Sequence, residues 1–342
     1  MARQLAILCS GQGGQSAAMV DLLHTDAVAM SAWQHLFGEK WSAICGDSAT
    51  SGYLPASGYP ADSLDSANAA QAAASRDAGI AANPAAMFLN RHAQPLVAAF
   101  GLAAWQVLAP GLPRPALVAG YSVGEMTACG VAGALLPDQV MALTQQRAAL
   151  MDAAASLAGP QGLLAVSGTP WAALSDLIAA HRVFLAIDNG EQSCVLGGLH
   201  AHLEALARVL AAQGVRTQAL AVSVAAHTPL MQTAAPAFLA ALQQAAWQRP
   251  RSPLLAGIDA RRVLRADSAC ETLAQALCAP IRWAACMDAL AEAQTGVALE
   301  LGPGAALARM MQARHPHIAC RSLADFRSLS AARDWLQRQL DG

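Results

Sequence analysis

A serine hydroxyl becomes a useful nucleophile when a tight turn exposes it, a base takes its proton and backbone donors receive the developing oxyanion. The sharpest local signal of that chemistry is Gly120-Tyr121-Ser122-Val123-Gly124. It is a G-x-S-x-G pattern after a short apolar run, ALVAG, and before a helical one. Strand, strained turn and helix is the context in which such a serine stands at the top of a sheet. The glycines answer the need for close backbone approach. The helix that follows aims free N–H groups and its positive end at the same point.

The base must come from elsewhere among nine histidines. His200 and His202 form one H-x-H pair, and His315 and His317 another. Neither has a carboxylate or cysteine at ligand spacing, so no metal site is expected. His227 follows an apolar strand pattern and precedes Thr228-Pro229, which puts it at a strand end. Position alone leaves its role open. Arg147 lies in the apolar helical stretch ALTQQRAALM, where two readings stand. It is a snorkelling surface residue, or it is a bidentate clamp for a carboxylate. The GQGGQ run after the first strand lacks the third glycine and the acidic residue of a dinucleotide loop.

Composition narrows the setting. The chain has 342 residues, enough for one large domain or two modest ones. Hydrophobic residues make up 55% and charged residues 13%, which excludes a solvating, disordered chain. The net charge is −2 with no basic stripe, so a nucleic-acid partner is not expected. Eight cysteines are scattered without a C-x-x-C pair, as in the reducing cytoplasm. The N-terminal apolar run is too short for a secretory signal and reads as a first strand. No charged residue lies between Arg91 and Arg114, but Gln94, Pro95, Gln106 and Pro110 interrupt that stretch. It reads as a buried helix, not a membrane span.

Several elements must position these residues. Strands are expected at 4–10, 116–120, 254–258 and 297–301, alternating with helices that include 95–108, 125–135 and 138–155. Residues 46–84 lack a period and read as a long surface excursion. Between 162 and 224 the pattern is strand 162–167, helix 171–180, strands 183–187 and 194–197, helix 202–212, strand 217–224. That is β-α-β-β-α-β, the ferredoxin-like split motif. The outer segments predict a mainly parallel α/β sheet.

Taken together in order, eight segments resemble the malonyl-CoA:acyl-carrier-protein acyltransferase family. They are GQGGQ at 11–15, AQPL at 93–96, GYSVGE at 120–125 and Gln146-Arg147 with Met151. The others are Asn189 with SCVLGG, VSVAAH with Leu230-Met231, Leu277 with Pro280 and Trp283, and ELGPG at 300–304. The resemblance implies an α/β fold with a hydrolase-like parallel-sheet large lobe, residues 1–155 and 221–342. A ferredoxin-like small lobe, 156–220, is inserted in it, and the site lies in the cleft between them. It implies Ser122 as nucleophile, His227 as general base and the Ala276 carbonyl as the group orienting the imidazole. Backbone N–H groups of Gln12 and Val123 would form the oxyanion hole. Arg147 would bind a malonyl carboxylate, with Tyr121, Gln94 and Asn189 as further substrate-binding residues.

The pattern departs from the family at Tyr121, where histidine is usual, and at Ser10, where proline is usual. The elbow, the CSGQGGQ start and the segment 38–92 are most similar to the epsilon subunit of malonate decarboxylase. That resemblance implies a malonyl transfer from malonyl-CoA to the phosphopantetheine-type thiol of an acyl carrier subunit, within a decarboxylase complex. It implies no bound cofactor. Two alternatives stay open. One is the same transacylation in fatty-acid or polyketide synthesis. The other, of a different class, is an acyl hydrolase or a non-catalytic docking subunit. Arg261, Arg262 and Arg265 are either a carrier-docking patch or a solvated face.

Overall fold

The computed structural model describes residues 3–16, 18–38, 40–41 and 84–342. Cys45 and the expected excursion 46–84, save its last residue, lie outside them. Strands β1 (Gln4–Cys9), β2 (Leu117–Gly120), β7 (Leu254–Leu255), β8 (Arg262–Val263), β10 (Thr295–Leu301) and β11 (Ala319–Ser322) form one six-stranded sheet. Its order is β11-β10-β1-β2-β7-β8. All neighbours are parallel except the β7–β8 hairpin. β1 and β2 are almost wholly buried, as strands covered on both faces must be.

The helix Asn90–Leu108 fills one face of this sheet. Only Arg91, His92, Trp105 and Gln106 escape full burial on it. It starts a turn earlier than the expected 95–108 and carries Pro95 inside. That extra turn is held by side chains: Gln94 Nε2 donates to Asn90 Oδ1 at 2.6 Å, an i,i+4 pair. The helix after β2 runs Gly124–Val131 and stops short of the expected Leu135, because Gly133 turns the chain at φ 70°. The expected strand 254–258 shortens to two residues, since Ala256 N–H already donates to Arg261 O in the hairpin turn.

The second sheet contains β3 (Gln161–Ser167), β4 (Phe184–Gly190), β5 (Ser193–Leu199), β6 (Arg216–Ala219) and β9 (Ile281–Arg282), in order β6-β3-β5-β4-β9. The first four pair antiparallel and enclose a small core around Leu164, Val166, Leu196, Leu203 and Leu206. The fifth strand comes from far down the chain. β9 pairs parallel with β4 through Ile187–Ile281 and Asp188–Arg282. The expected strand 217–224 ends at Ala219, a correction that changes how His227 is presented. Residues 220–226 cross from one sheet to the other as irregular chain. Their backbone is satisfied individually instead: Leu220 N–H donates to Leu163 O, Ala225 N–H to Gln161 Oε1 and His227 N–H to Leu277 O.

Three loops meet at the C-terminal edge of the large sheet: 11–15 after β1, 121–123 after β2 and 302–304 after β10. They meet at backbone contact. A Cβ on Gly124 would lie 2.0 Å from the Cys9 carbonyl oxygen, and one on Gly14 would lie 2.6 Å from that of Pro303. Glu300 ties the loops together. Its carboxylate accepts from Ser10 Oγ at 2.7 Å and from Ala308 N–H at 2.9 Å. The serine that replaces the usual proline is therefore a structural donor. Among the described residues no helix is long and apolar enough to cross a membrane. The seven described cysteines are free thiols, six of them buried.

Replacing Glu300 by alanine strands two buried donors. Glu300→Ala is expected to cost about 2–4 kcal/mol, read as a lower midpoint in urea denaturation followed by circular dichroism.

Candidate active site

The turn after β2 forces Ser122 into the left-handed region, φ 57°. For a serine this is strain, and strain of this kind persists where surrounding bonds over-determine it. Tyr121 N–H donates to Cys9 O at 2.9 Å, Gly124 N–H to Tyr121 O at 2.9 Å and Glu125 N–H to Ser122 O at 3.0 Å. A Cβ on Gly120 would sit 2.2 Å from Glu125 N, so this position must be glycine. Ser122 Oγ thus stands free of the turn, at the N-terminus of the helix Gly124–Val131.

His227 meets it. Nε2 lies 2.7 Å from Ser122 Oγ, and Nδ1 lies 2.5 Å from the Ala276 carbonyl oxygen. A carbonyl only accepts, so Nδ1 carries the proton and Nε2 presents its lone pair to the serine hydroxyl. The ring is 0% exposed. Burial, then the charge of Arg147, push its pKa down to about 3, against a smaller upward pull from the Ala276 carbonyl. The imidazole is therefore neutral throughout the physiological range. His227 itself adopts φ 64°, and its N–H is held by Leu277 O at 2.8 Å.

The two residues expected to supply oxyanion donors, Gln12 and Val123, lie beside the serine. A Cβ on Gly11 would come 3.6 Å from Ser122 Cβ, so the Gly11-Gln12 backbone runs alongside it. Among the described residues neither Gln12 N–H nor Val123 N–H donates to a protein acceptor. Both are free to converge on an oxygen carried by the acyl group.

Arg147 rises from the helix Pro137–Ala158 and is 4% exposed. Its Nη1 donates to Gln94 Oε1 at 2.6 Å. Among the described residues it forms no ion pair. Glu125, the nearest acid by its electrostatic effect, spends Oε1 on Gly257 N–H at 2.8 Å. Burial lifts the Glu125 carboxyl to about 7, while Gly257 and Arg147 pull it back. Burial also lowers Arg147, to about 10, so it remains a cation at neutral pH. A buried cation without a carboxylate is expensive unless an anion arrives to pair with it.

Tyr121 and Asn189 pair with each other: the phenol donates to Asn189 Oδ1 at 3.2 Å. Asn189 belongs to β4, so this bond spans the two sheets. The Tyr121 ring stands edge-on to Trp283, centroids 5.3 Å apart. Burial holds the phenol above its ordinary pKa, neutral and able to donate.

Three contributors escaped the sequence reading. Asn90 carries Gln94, and its i,i+4 spacing was the available signal. Gln161 pins the crossing segment before His227 through Ala225, with no local signal at all. Glu125 sits inside the motif, but nothing in its spacing reveals its bond to Gly257. The three arginines 261, 262 and 265 are exposed; Arg261 pairs with Asp259, and Arg265 lies 3.9 Å from Asp267. His315 bonds Asp288 at 2.9 Å. Among the described residues no three His, Cys, Asp or Glu side chains gather as a metal site.

Residues 64–322 match the family model described as the acyl transferase domain, which is most of the chain. The chain belongs to that family. The acyltransferase is 35% identical over 224 residues to the malonyl CoA-acyl carrier protein transacylase of Mycobacterium tuberculosis, 63% of this chain and 72% of that one. It is 32% identical over 240 residues to polyketide synthase GfsB of Streptomyces halstedii, covering 68% of this chain and 4% of that much longer one. Among solved structures, MCAT from M. tuberculosis superposes with TM-score 0.77 at 27% identity, over 97% of this chain and 99% of that one. The transacylase of Coxiella burnetii gives TM-score 0.80 at 19% identity over 99% of each chain, a likeness of fold.

The buried histidine makes acyltransferase stability depend on pH in a definite sense. An unfolded histidine takes its proton near pH 6.5, whereas His227 resists until about 3. Between those values the unfolded chain holds a proton that the folded one lacks, so stability falls on acidification. The slope from this residue approaches about 1.4 kcal/mol per pH unit. His227→Gln is expected to flatten the dependence of unfolding free energy on pH between about 4 and 6.5, measured by urea titration.

Proposed function

We propose that the protein transfers malonyl from malonyl-CoA to the thiol of an acyl carrier protein through an ester on Ser122. The observation that carries this reading is Arg147: a buried cation that forms no ion pair among the described residues, close enough to bias His227. A free acyl carboxylate supplies the missing partner, and an acetyl group does not. The relatives named as malonyl transacylases support the same substrate.

The steps follow from the geometry. His227 Nε2 takes the Ser122 proton as Oγ attacks the thioester carbonyl carbon. The oxyanion lies against the N–H groups of Gln12 and Val123. Collapse breaks the carbon–sulfur bond, and the imidazolium returns its proton to the departing CoA sulfur. The carrier thiol then gives its proton to His227 and attacks the ester carbonyl carbon, and the serine leaves with that proton. A carbonyl behind the imidazole leaves the imidazolium without an anionic partner. That makes it a strong acid, suited to an activated thioester with a good leaving group. The large lobe, 1–155 and 221–342, would supply the nucleophile and base, and the 156–220 lobe would close the cleft against water.

The relatives favour carrier-dependent fatty-acid or polyketide synthesis as the setting. The malonate decarboxylase setting rests on Tyr121 in the elbow and on the CSGQGGQ start. A hydrolase would have no use for the unpaired Arg147, and a docking subunit none for the strained Ser122.

Intact-protein mass spectrometry after brief mixing with malonyl-CoA tests the chemistry. A malonyl adduct is expected on the wild type and not on Ser122→Ala. Rapid CoA release without adduct would point to a hydrolase, and intact CoA without adduct to a docking subunit. Offering the malonyl-enzyme a phosphopantetheine carrier and a decarboxylase carrier subunit in parallel then separates the two settings. Arg147→Ala is expected to lower the preference for malonyl-CoA over acetyl-CoA by about 10- to 100-fold in acylation rates, the range for a lost charged hydrogen bond.

A further inference from the structure

Arg147 does not stand alone. Behind it runs a buried chain of side-chain amides whose sense is fixed from the far end. Arg147 Nη1 donates to Gln94 Oε1 at 2.6 Å. Gln94 Nε2 donates to Asn90 Oδ1 at 2.6 Å and reaches Met151 Sδ at 3.3 Å. Asn90 Nδ2 donates to Asp152 Oδ1 at 2.8 Å and to the Ala148 carbonyl at 3.1 Å. Gln94 is 1% and Asn90 2% exposed, so neither has bulk water as an alternative partner.

An amide can turn end for end, and a buried one turned the wrong way would point N–H groups at the guanidinium. Both partners of Asn90 Nδ2 are pure acceptors, a carboxylate and a carbonyl. Asn90 must therefore direct its nitrogen at them and its oxygen at Gln94. Gln94 must in turn direct its nitrogen at Asn90 and its oxygen at Arg147. Each bond leaves one orientation for the next, and such chains reinforce one another in a dry interior.

We propose that Asn90, backed by Asp152 and the Ala148 carbonyl, is the positioning residue that sets acyl selectivity, by fixing the Gln94 amide so that its oxygen steers Arg147. The proposal rests on the reading of Arg147 as the clamp for the malonyl carboxylate. Gln94 holds one guanidinium nitrogen with a neutral acceptor, which aligns the fork without neutralising it. The cation therefore stays available to the substrate. Asn90 touches neither Ser122 nor His227, and its loss acts on the clamp, not on the acyl-transfer chemistry.

The test compares acylation of Ser122 by malonyl-CoA and by acetyl-CoA. Second-order rate constants are measured by rapid-quench mass spectrometry on protein normalised by its total acylation. Asn90→Leu is expected to lower the malonyl-to-acetyl ratio about 10-fold, through weaker malonyl-CoA binding. Asp152→Leu, at the less buried end, leaves the Ala148 carbonyl in place and is expected to lower the ratio about 3-fold. Asp152→Asn keeps an oxygen acceptor and is expected to restore the ratio to within 2-fold of wild type. The ratio is insensitive to a fraction of unfolded protein, so a less stable variant still reports. If Arg147→Ala lowers the ratio while Asn90→Leu and Asp152→Leu slow both substrates equally or not at all, the positioning role is overturned. If Arg147→Ala leaves the ratio unchanged, it is the clamp reading that fails.

Discussion

A guanidinium held out of water with no ion pair among the described residues is the constraint around which the site is arranged. Leaving such a charge unpaired costs several kcal/mol in a folded interior. Nothing in the packing of the helix Pro137–Ala158 requires an arginine at that place. Among the described residues the hydrogen-bond partner of Arg147 is the neutral Gln94 amide, and the nearby Glu125 carboxyl acts on it through space while one of its oxygens accepts from Gly257. The same charge adds to the burial that already disfavours protonation of His227.

The strained serine depends on a second constraint, the near contact of three loops at the sheet edge. Glycines at 11, 14, 120 and 124 let backbones approach where any Cβ would collide. Glu300 fastens two of these loops to the start of the helix Ala306–Arg314. The turn at Ser122 is consequently over-determined by the backbone bonds and close contacts around it.

Much of this was legible in the residues. The parallel sheet follows from strands apolar throughout, and the split motif from the alternation between 162 and 219. The serine is readable because strand, glycine turn and helix lie together in fifteen residues or so of local pattern. The histidine was a harder case. Its approach has the apolar pattern of a strand, but 220–226 crosses between sheets and is satisfied bond by bond, one of them from a glutamine side chain. Spacing carries no trace of that. The carbonyl of Ala276 has no chemical signature because every residue owns one, and only the family pattern pointed there. β9 is two residues long and joins a sheet whose other strands lie far upstream, beyond any periodicity. Ser10 is the opposite case: an apparent departure from pattern that the fold turns into a donor for Glu300.

The pairing of β9 with β4 has a mechanical side. The stretch that carries the Ala276 and Leu277 carbonyls onto His227 continues directly into Ile281, which is zipped to Ile187 of the smaller sheet. Asn189, the residue after that pairing, accepts from Tyr121 next to Ser122. The smaller sheet is therefore geared to both halves of the reacting pair. Any displacement of that sheet acts on the backbone behind the imidazole and on the residue before the serine together. The placement of Ser122 and that of His227 are thereby tied to one sheet.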